Sequence, residues 1–334
     1  MKFIFSLLLS GLLVSVSTGK QTKILFLGNS YTAQSAHFIK EVFNRDGGSY
    51  ELQFGTPGGK DLNFHLTNPT SQKALYSTNY ALDAASGKLK WKYETDGEIM
   101  GAANQAKRPK SMDSVIVVGS YDNFVHCVDA KNAKLIWKFE TQNYVNGVPT
   151  IYEGKHVVFG GCDSVLYVVN LENGKLIRSV EVEAPIAASV SVGDGVGYVG
   201  NMDRAVMAFD LKTGEVVWNY RNKSFPYFSS PALTEKQVLI GGRDKGLHCI
   251  KRISGKLEWR FAARGRIDSS PVIAEDKVVF GSMDGKLYVV SLLDGKEISS
   301  YEVGEAISST PALAGGRIFV GCEDGKVYAF STGN

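Results

Sequence analysis

The chain has few residues that pair covalently and few that titrate near neutral pH. Its 334 residues include four cysteines and five histidines. Cys127, Cys162, Cys249 and Cys322 lie far apart with no CxxC pair, which excludes the usual zinc and dithiol redox motifs. No block of five basic residues occurs. The nearest approach is AKRPK at Ala106–Lys110, and the formal net charge is only +3. A concentrated positive patch is what phosphate backbones require, so nucleic acid is not an expected partner. Beyond the first residues there is no apolar run of 18, so no transmembrane segment is expected in the mature chain. The long C-terminal part also lacks helical periodicity.

What is present begins with MKFIFSLLLSGLLVSVSTGK. Lys2 precedes an apolar run from Phe3 to Val16, and small residues follow. This is the composition of a signal peptide, with cleavage expected after Gly19 or near Ser17. The chain is therefore read as exported, to the periplasm or the exterior, with residues 1–19 removed.

One period then dominates. GSYDNFVHCVDAKNAKLIWKFE, GGCDSVLYVVNLENGKLIRSVE, GNMDRAVMAFDLKTGEVVWNYR, GGRDKGLHCIKRISGKLEWRFA and GSMDGKLYVVSLLDGKEISSYE are copies of one unit, and GCEDGKVYAFSTGN begins a sixth. The shared aspartates are Asp122, Asp163, Asp203, Asp244, Asp284 and Asp324. Their near-constant interval of about 40 residues marks a repeat architecture. In the copy starting at Ser269, SSPVIAED, KVVFGS, KLYVVS and KEISSYEV read as four strands. Met283-Asp284-Gly285 and the Leu293–Gly295 region are their tight turns. Four antiparallel strands in every period are the signature of propeller blades. The expected fold is thus all-β, with six to seven nominal blades from 73 to 334. KALYSTNYALDAASGKLKWKYET supplies only a third and fourth strand, and the last unit lacks its fourth.

The repeat also explains residues that would otherwise suggest chemistry. Trp91, Trp137, Trp218 and Trp259 recur in the fourth strand, with Arg178 and Ser299 at the equivalent sites. A ligand cage is one reading; packing between neighbouring blades is the better one. Pro149, Pro231, Pro271 and Pro311 recur at the entry to the first strand, where no ladder hydrogen bond is lost. The aspartates are turn residues. Equivalent cysteines on separated blades stay out of disulfide range, so free thiols are expected. His126 and His248 lie three blades apart, too far to share a metal.

The segments YALDAASGKLKW and MAFDLKTGEVVW resemble the pyrroloquinoline-quinone-like propeller repeat, over about Leu75 to Asn334. That family is typically eight-bladed. It includes quinoprotein dehydrogenases and the propeller subunit of the bacterial outer-membrane protein assembly machine. The resemblance implies a propeller. It implies quinone chemistry only where a vicinal disulfide and a calcium site accompany it, and the chain has no adjacent cysteines. No cofactor and no metal are expected.

Residues 20–72 stand outside the repeat. KILFLGNSYT reads as a short strand ending in a turn with Ser30 at its tip, and AQSAHFIKEVFNRDG follows with helical spacing, a βαβ-like beginning. ILFLGNSYT and GGKDLNFHL resemble the first two blocks of the GDSL/SGNH hydrolases, with Asn29 in place of the usual Asp. By that resemblance Ser30 is the nucleophile, and the amides of Ser30 and Gly59 contribute an oxyanion hole. The DxxH block that supplies the base is missing from the whole chain. His37 and His65 are substitutes that match no family position, leaving Ser30, Gly59 and His65 as an incomplete catalytic set.

The leading functional expectation is a monomeric, non-enzymatic propeller binding a protein or envelope component. QAKRPKSMD, QNYVNG and RNKSFPYFS depart most from the repeat. The last brings Phe225, Tyr227 and Phe228 beside Arg221 and Lys223, a composition suited to contact. These aromatics suit covering a blade edge equally well. A serine esterase built on Ser30 and a quinone-dependent dehydrogenase are the enzymatic alternatives.

Overall fold

The computed structural model describes residues 5–9, 12–16, 78–82, 89–221, 225–314 and 316–331. Phe5–Leu9 and Leu12–Val16 pair as an antiparallel hairpin. The rest is a series of antiparallel sheets arranged as propeller blades. Blade 1 holds Thr78–Leu82 and Leu89–Glu94. Blade 2 runs Asn104–Lys107, Ser114–Gly119, Phe124–Asp129, Leu135–Glu140. Blade 3 runs Thr150–Tyr152, His156–Gly160, Val165–Asn170, Leu176–Glu181. Blade 4 runs Ser191–Gly193, Val196–Gly200, Ala205–Asp210, Val216–Arg221. Blade 5 runs Ala232–Leu233, Gln237–Gly241, Gly246–Lys251, Leu257–Ala262. Blade 6 runs Val272–Ala274, Lys277–Gly281, Lys286–Ser291, Glu297–Glu302. Among the described residues, blade 7 holds Ala312–Ala314, Arg317–Gly321 and Val327–Ser331. Each strand pairs with its sequence neighbour, so a blade is an up-and-down meander.

The half-blade expected at the start and the three-strand unit at the end are both present. They remain separate sheets among the described residues, giving seven units.

Burial follows position in the blade. Second strands are buried almost throughout, as in HVVFG and KVVFG, because both sheet faces are covered by neighbouring blades. Fourth strands of blades 1–5 alternate, as in LIWKFE, because only one face meets a neighbour, whereas EISSYE of blade 6 is exposed along its length. The core therefore consists of seams between blades rather than one centre. Phe159, Tyr167 and Trp137 fill the seam of blades 2 and 3, and Leu247, Phe280 and Tyr288 fill that of blades 5 and 6.

The tryptophans are clasps between blades. Each indole N–H donates to a carbonyl at the end of the next blade's third strand: Trp91 to Ala130 at 3.0 Å, Trp137 to Leu171 at 2.9 Å, Trp218 to Arg252 at 2.8 Å and Trp259 to Leu292 at 3.1 Å. Arg178 stands in with its guanidinium, donating to Thr213 O at 3.0 Å. The glycine of the receiving turn is required twice over. Gly255 has φ +67°, and a Cβ there would lie 2.8 Å from the Trp218 ring. In blade 2 the same turn carries Ala133 at φ 62°, packed against the cluster that contains Trp91.

All four cysteines are free; Cys127 and Cys249 are buried, and Cys162 and Cys322 are half-buried. Burial pushes the Cys127 thiol up to about 12, which leaves it inert at neutral pH.

Candidate protein-binding face

In a four-stranded meander the turns fall at two ends. The turns between strands 1–2 and 3–4 form one face of the disc. The turns between strands 2–3 and the links from strand 4 to the next blade form the other. The variable segments divide between them. QAKRPKSMD is the first turn of blade 2, closed by Arg108 N–H to Asp113 O at 2.9 Å. From there Arg108 reaches blade 3, pairing with Glu172 at 2.8 Å. QNYVNG and RNKSFPYFS are interblade links on the opposite face, which carries the candidate site.

That face is held rigid by the repeated aspartates. Asp163 accepts from Val165 N–H at 3.2 Å within its own turn, from the Tyr167 hydroxyl at 2.8 Å, and from Gln142 N–H of the preceding link at 3.1 Å. Asp284 repeats this with Lys286, Tyr288 and Arg264. The aspartates are turn residues, as their sequence context indicates, and they also bind one blade to the next. In blade 4 Asn201 takes over the turn, accepting from Ala205 N–H at 2.9 Å. Asp203 is thereby released to pair with Arg204 and Arg221.

Blades 2 and 5 use histidine where blades 3, 6 and 7 use tyrosine and blade 4 has Met207. His126 Nε2 lies 3.0 Å from Asp122, and its Nδ1 lies 2.8 Å from the Tyr93 hydroxyl of blade 1. His248 lies 3.1 Å from both Asp244 and Tyr220. A carboxylate can only accept, so Nε2 carries the proton and Nδ1 accepts from the tyrosine. Burial works to raise the Asp122 and Asp244 carboxyls. The hydrogen bonds they accept, from their histidines first, outweigh it and hold both below the ordinary carboxylate range. No group of three or more His, Cys, Asp or Glu side chains converges as a metal site among the described residues.

The residue just before each aspartate is the variable member of the turn: Tyr121, Cys162, Met202, Arg243, Met283 and Glu323. Its backbone is fixed, with the N–H donating to the preceding link in every case, for example Met202 to Pro185 O at 3.0 Å and Arg243 to Pro226 O at 3.2 Å. Its side chain is free to vary. A rigid ring of varied side chains is thus presented outward. Alongside it, Met100, Tyr144, Met202 and Phe225 are 40–50% exposed. Tyr144 stacks on Tyr121 at 4.5 Å.

At the centre lies a cavity of about 550 Å³, bordered by Met100, Asn146, Ser189, Phe228, Ser230 and Thr310. Serines join the inner strands around it: Ser189 accepts from Val148 N–H, Ser230 from Ser189 N–H and Ser270 from Ser230 N–H, at 2.9–3.0 Å.

The five residues singled out in RNKSFPYFS separate. Arg221 bridges Glu183 at 2.7 Å and Asp203 at 3.0 Å. Phe225 projects outward. Tyr227 is 1% exposed and sits in the seam of blades 4 and 5 over Gly200, where a Cβ would come 2.5 Å from it. Phe228 lies at the cavity under the Arg243 guanidinium, 3.6 Å from its ring centre. Arg243 is itself clamped to Asp268. Lys223 lies outside the described residues, as do Ser30, His37, Gly59 and His65. Met202, Tyr121 and Arg243 were missed from sequence, although the six aligned turns carry the signal: one varied position beside a constant one.

A scan against protein families matches residues 76–332, more than half of the chain, to the beta-propeller of the beta-alanine-activating enzyme. The chain belongs to that propeller family. The match begins after Ser30, Gly59 and His65. No curated protein matches the chain. Among solved structures it is similar to BamB from Moraxella catarrhalis, with 18% identity, 77% of each chain covered and a TM-score of 0.65. It is also similar to the computationally designed Ika8 protein, with 15% identity, 77% of this chain and 91% of that chain covered, and a TM-score of 0.60. Both similarities are in fold.

Proposed function

We propose that the chain is an exported, non-enzymatic propeller whose face of 2–3 turns and interblade links binds a protein component of the cell envelope. The observation that carries this reading is the ring of varied side chains, from Tyr121 to Glu323, mounted on turns whose backbones are identically fixed. A rigid scaffold with variable tips is what recognition requires. Met100, Tyr144, Met202, Phe225 and Arg243 supply apolar, aromatic and guanidinium contacts of the kind that dominate interfaces. The signal-like start of the chain and the likeness of the fold to BamB support the envelope setting.

The test is site-specific photo-crosslinking in cells. Probes at Met202 and Phe225 should give one shared adduct, and probes at the equally apolar Ile253 and Leu293 on the opposite face should not. A shared adduct that disappears when Met100 and Tyr144 are changed to serine supports the reading. Equal labelling from both faces removes it. Turnover of a chromogenic short-chain ester that is lost on Ser30→Ala would replace it with the esterase reading.

A further inference from the structure

Blades 2 and 3 carry opposite charge at their two ends. Their 2–3 turns and the links beside them, 94–103, 119–124, 140–149, 160–165 and 181–190, hold eight Asp or Glu and no Lys or Arg. The turns at the other end, 107–114, 129–135, 152–156 and 170–176, hold seven Lys or Arg against four Asp or Glu. These four turns are neighbours. Ala130 N–H donates to Ser114 O at 2.9 Å, Leu171 N–H donates to Lys155 O at 2.8 Å, and Arg108 crosses from blade 2 to pair with Glu172 at 2.8 Å. Arg108 also donates to Glu172 O at 2.9 Å, and Lys110 N–H donates to the Glu172 carboxylate at 3.1 Å, which fixes QAKRPKSMD against blade 3. Asp113 lies on the same guanidinium, and Asp129 accepts from Lys131 N–H and Asn132 N–H within its own turn. The lysines are left over. Lys107, Lys110, Lys131, Lys134, Lys155 and Lys175 are exposed, and none has an ion pair among the described residues. Met112 stands among them, 61% exposed on a left-handed backbone at φ 61°. Leu135, Leu176 and Ile177 are exposed where the fourth strands begin.

We propose that this end of blades 2 and 3 docks on the surface of an anionic lipid bilayer. The ammonium groups meet the headgroup charge, their methylene stems lie along the boundary, and Met112 enters it. The composition favours lipid over a macromolecule. Protein interfaces deplete lysine at their cores and rest on aromatic and arginine anchors. Here the arginine is committed to Glu172, and none of the exposed large apolar side chains on these turns is aromatic. Single-stranded nucleic acid requires the same rings for stacking. Residues 17–77 carry six Lys or Arg against four Asp or Glu, so that segment brings no excess negative charge to cover the lysines. A second copy presenting the same end meets like charge. The acidic end of the blades is repelled by the same bilayer, so the disc is oriented with Tyr121 and Tyr144 turned away from it. This surface lies opposite the face described above, and the inference stands independently of what that face binds.

The test is a lysine footprint. The full chain is mixed with phosphatidylcholine vesicles containing either about one-third phosphatidylglycerol or none, acylated briefly and read by mass spectrometry. Lys107, Lys110 and Lys131 should lose most of their reactivity on the anionic vesicles. Lys245, exposed in the 2–3 turn of blade 5, should keep its own. Raised salt should restore the lost reactivity. Lys110→Gln with Lys131→Gln should lower partitioning about twenty-fivefold, a factor of about five for each lysine. Met112→Ser should lower it about fivefold while leaving the salt dependence unchanged. All three positions are exposed, and an unchanged denaturation midpoint verifies that the variants fold. The proposal is overturned if the three lysines stay reactive on anionic vesicles, including the case in which the chain binds through its apolar start alone. It is overturned if phosphatidylcholine alone protects them equally. Lysines already unreactive without vesicles would assign the surface to the chain itself or to a second copy. Protection by single-stranded DNA or polyglutamate that matches the vesicles would assign it to a macromolecule, and either result also removes the proposal.

Discussion

The seams on either side of blade 5 solve one problem in two ways. Between blades 5 and 6, Tyr288 reaches Asp284 directly with its hydroxyl, and Phe261 packs on its ring at 5.2 Å. Between blades 4 and 5, His248 takes the tyrosine's place and Tyr220 takes the phenylalanine's, so the hydroxyl moves to the other strand and reaches the aspartate through the imidazole. Blades 2 and 3 repeat the contrast: Tyr93 with His126 in one seam, Phe139 with Tyr167 in the next. The aspartate must be satisfied because it is buried. Which strand carries the hydroxyl is free, provided the pair changes together.

The largest expected effect comes from breaking a pair on one side. His248→Leu leaves Asp244 and the Tyr220 hydroxyl without their shared partner, and should cost about 3 kcal/mol of unfolding free energy in denaturant titrations. Combining Tyr220→Phe with His248→Tyr copies the arrangement of the next seam. It should recover much of that loss, giving a coupling of about 1–2 kcal/mol in the double-mutant cycle. Additive losses would show that the two seam types are unrelated. Tyr167→Phe, which removes one hydroxyl while Asp163 keeps two backbone donors, should cost less, about 1 kcal/mol.

Acid sharpens the comparison further. The Asp122 and Asp244 carboxyls are depressed in the folded state. Their contribution is present above the unfolded carboxyl pKa of about 4 and is lost as pH falls through the lower folded value. Asp122→Asn with Asp244→Asn should therefore flatten the acid limb of the stability–pH curve. The smallest effect concerns the turn beneath Trp91. Ala133→Gly relieves a left-handed alanine and should raise stability by up to about 1 kcal/mol, a rise in midpoint with unchanged slope. A loss would mean that the packing of the Ala133 methyl against the cluster containing Trp91 outweighs the strain.

Much of the fold was legible because each blade is a local meander. Its four strands and three turns are written within a single repeat, and the aspartate-containing turn recurs once in each. The tryptophans read correctly as packing for the same reason, since a ring at one constant place in four of the six fourth strands has to meet a constant neighbour. The candidate site was legible only in part. Within RNKSFPYFS nothing local distinguishes Phe225, half exposed, from Tyr227, buried over Gly200. That difference depends on a glycine in the second strand of blade 4, well upstream of the segment itself. Arg243 was not chosen from sequence because its partners Phe228 and Asp268 come from the links on either side of its own turn.

By itself, the sequence determined the repeat, the order of strands in each blade, the turn in which every aspartate sits and the free state of the cysteines. These depend on interactions within one unit or on the distance between equivalent points of separate units. The tertiary structure alone decided which end of the disc gathers the varied residues and how a histidine and a tyrosine from adjacent blades share one aspartate. Each of those depends on groups from different repeats, which are distant in the chain and meet only across a seam.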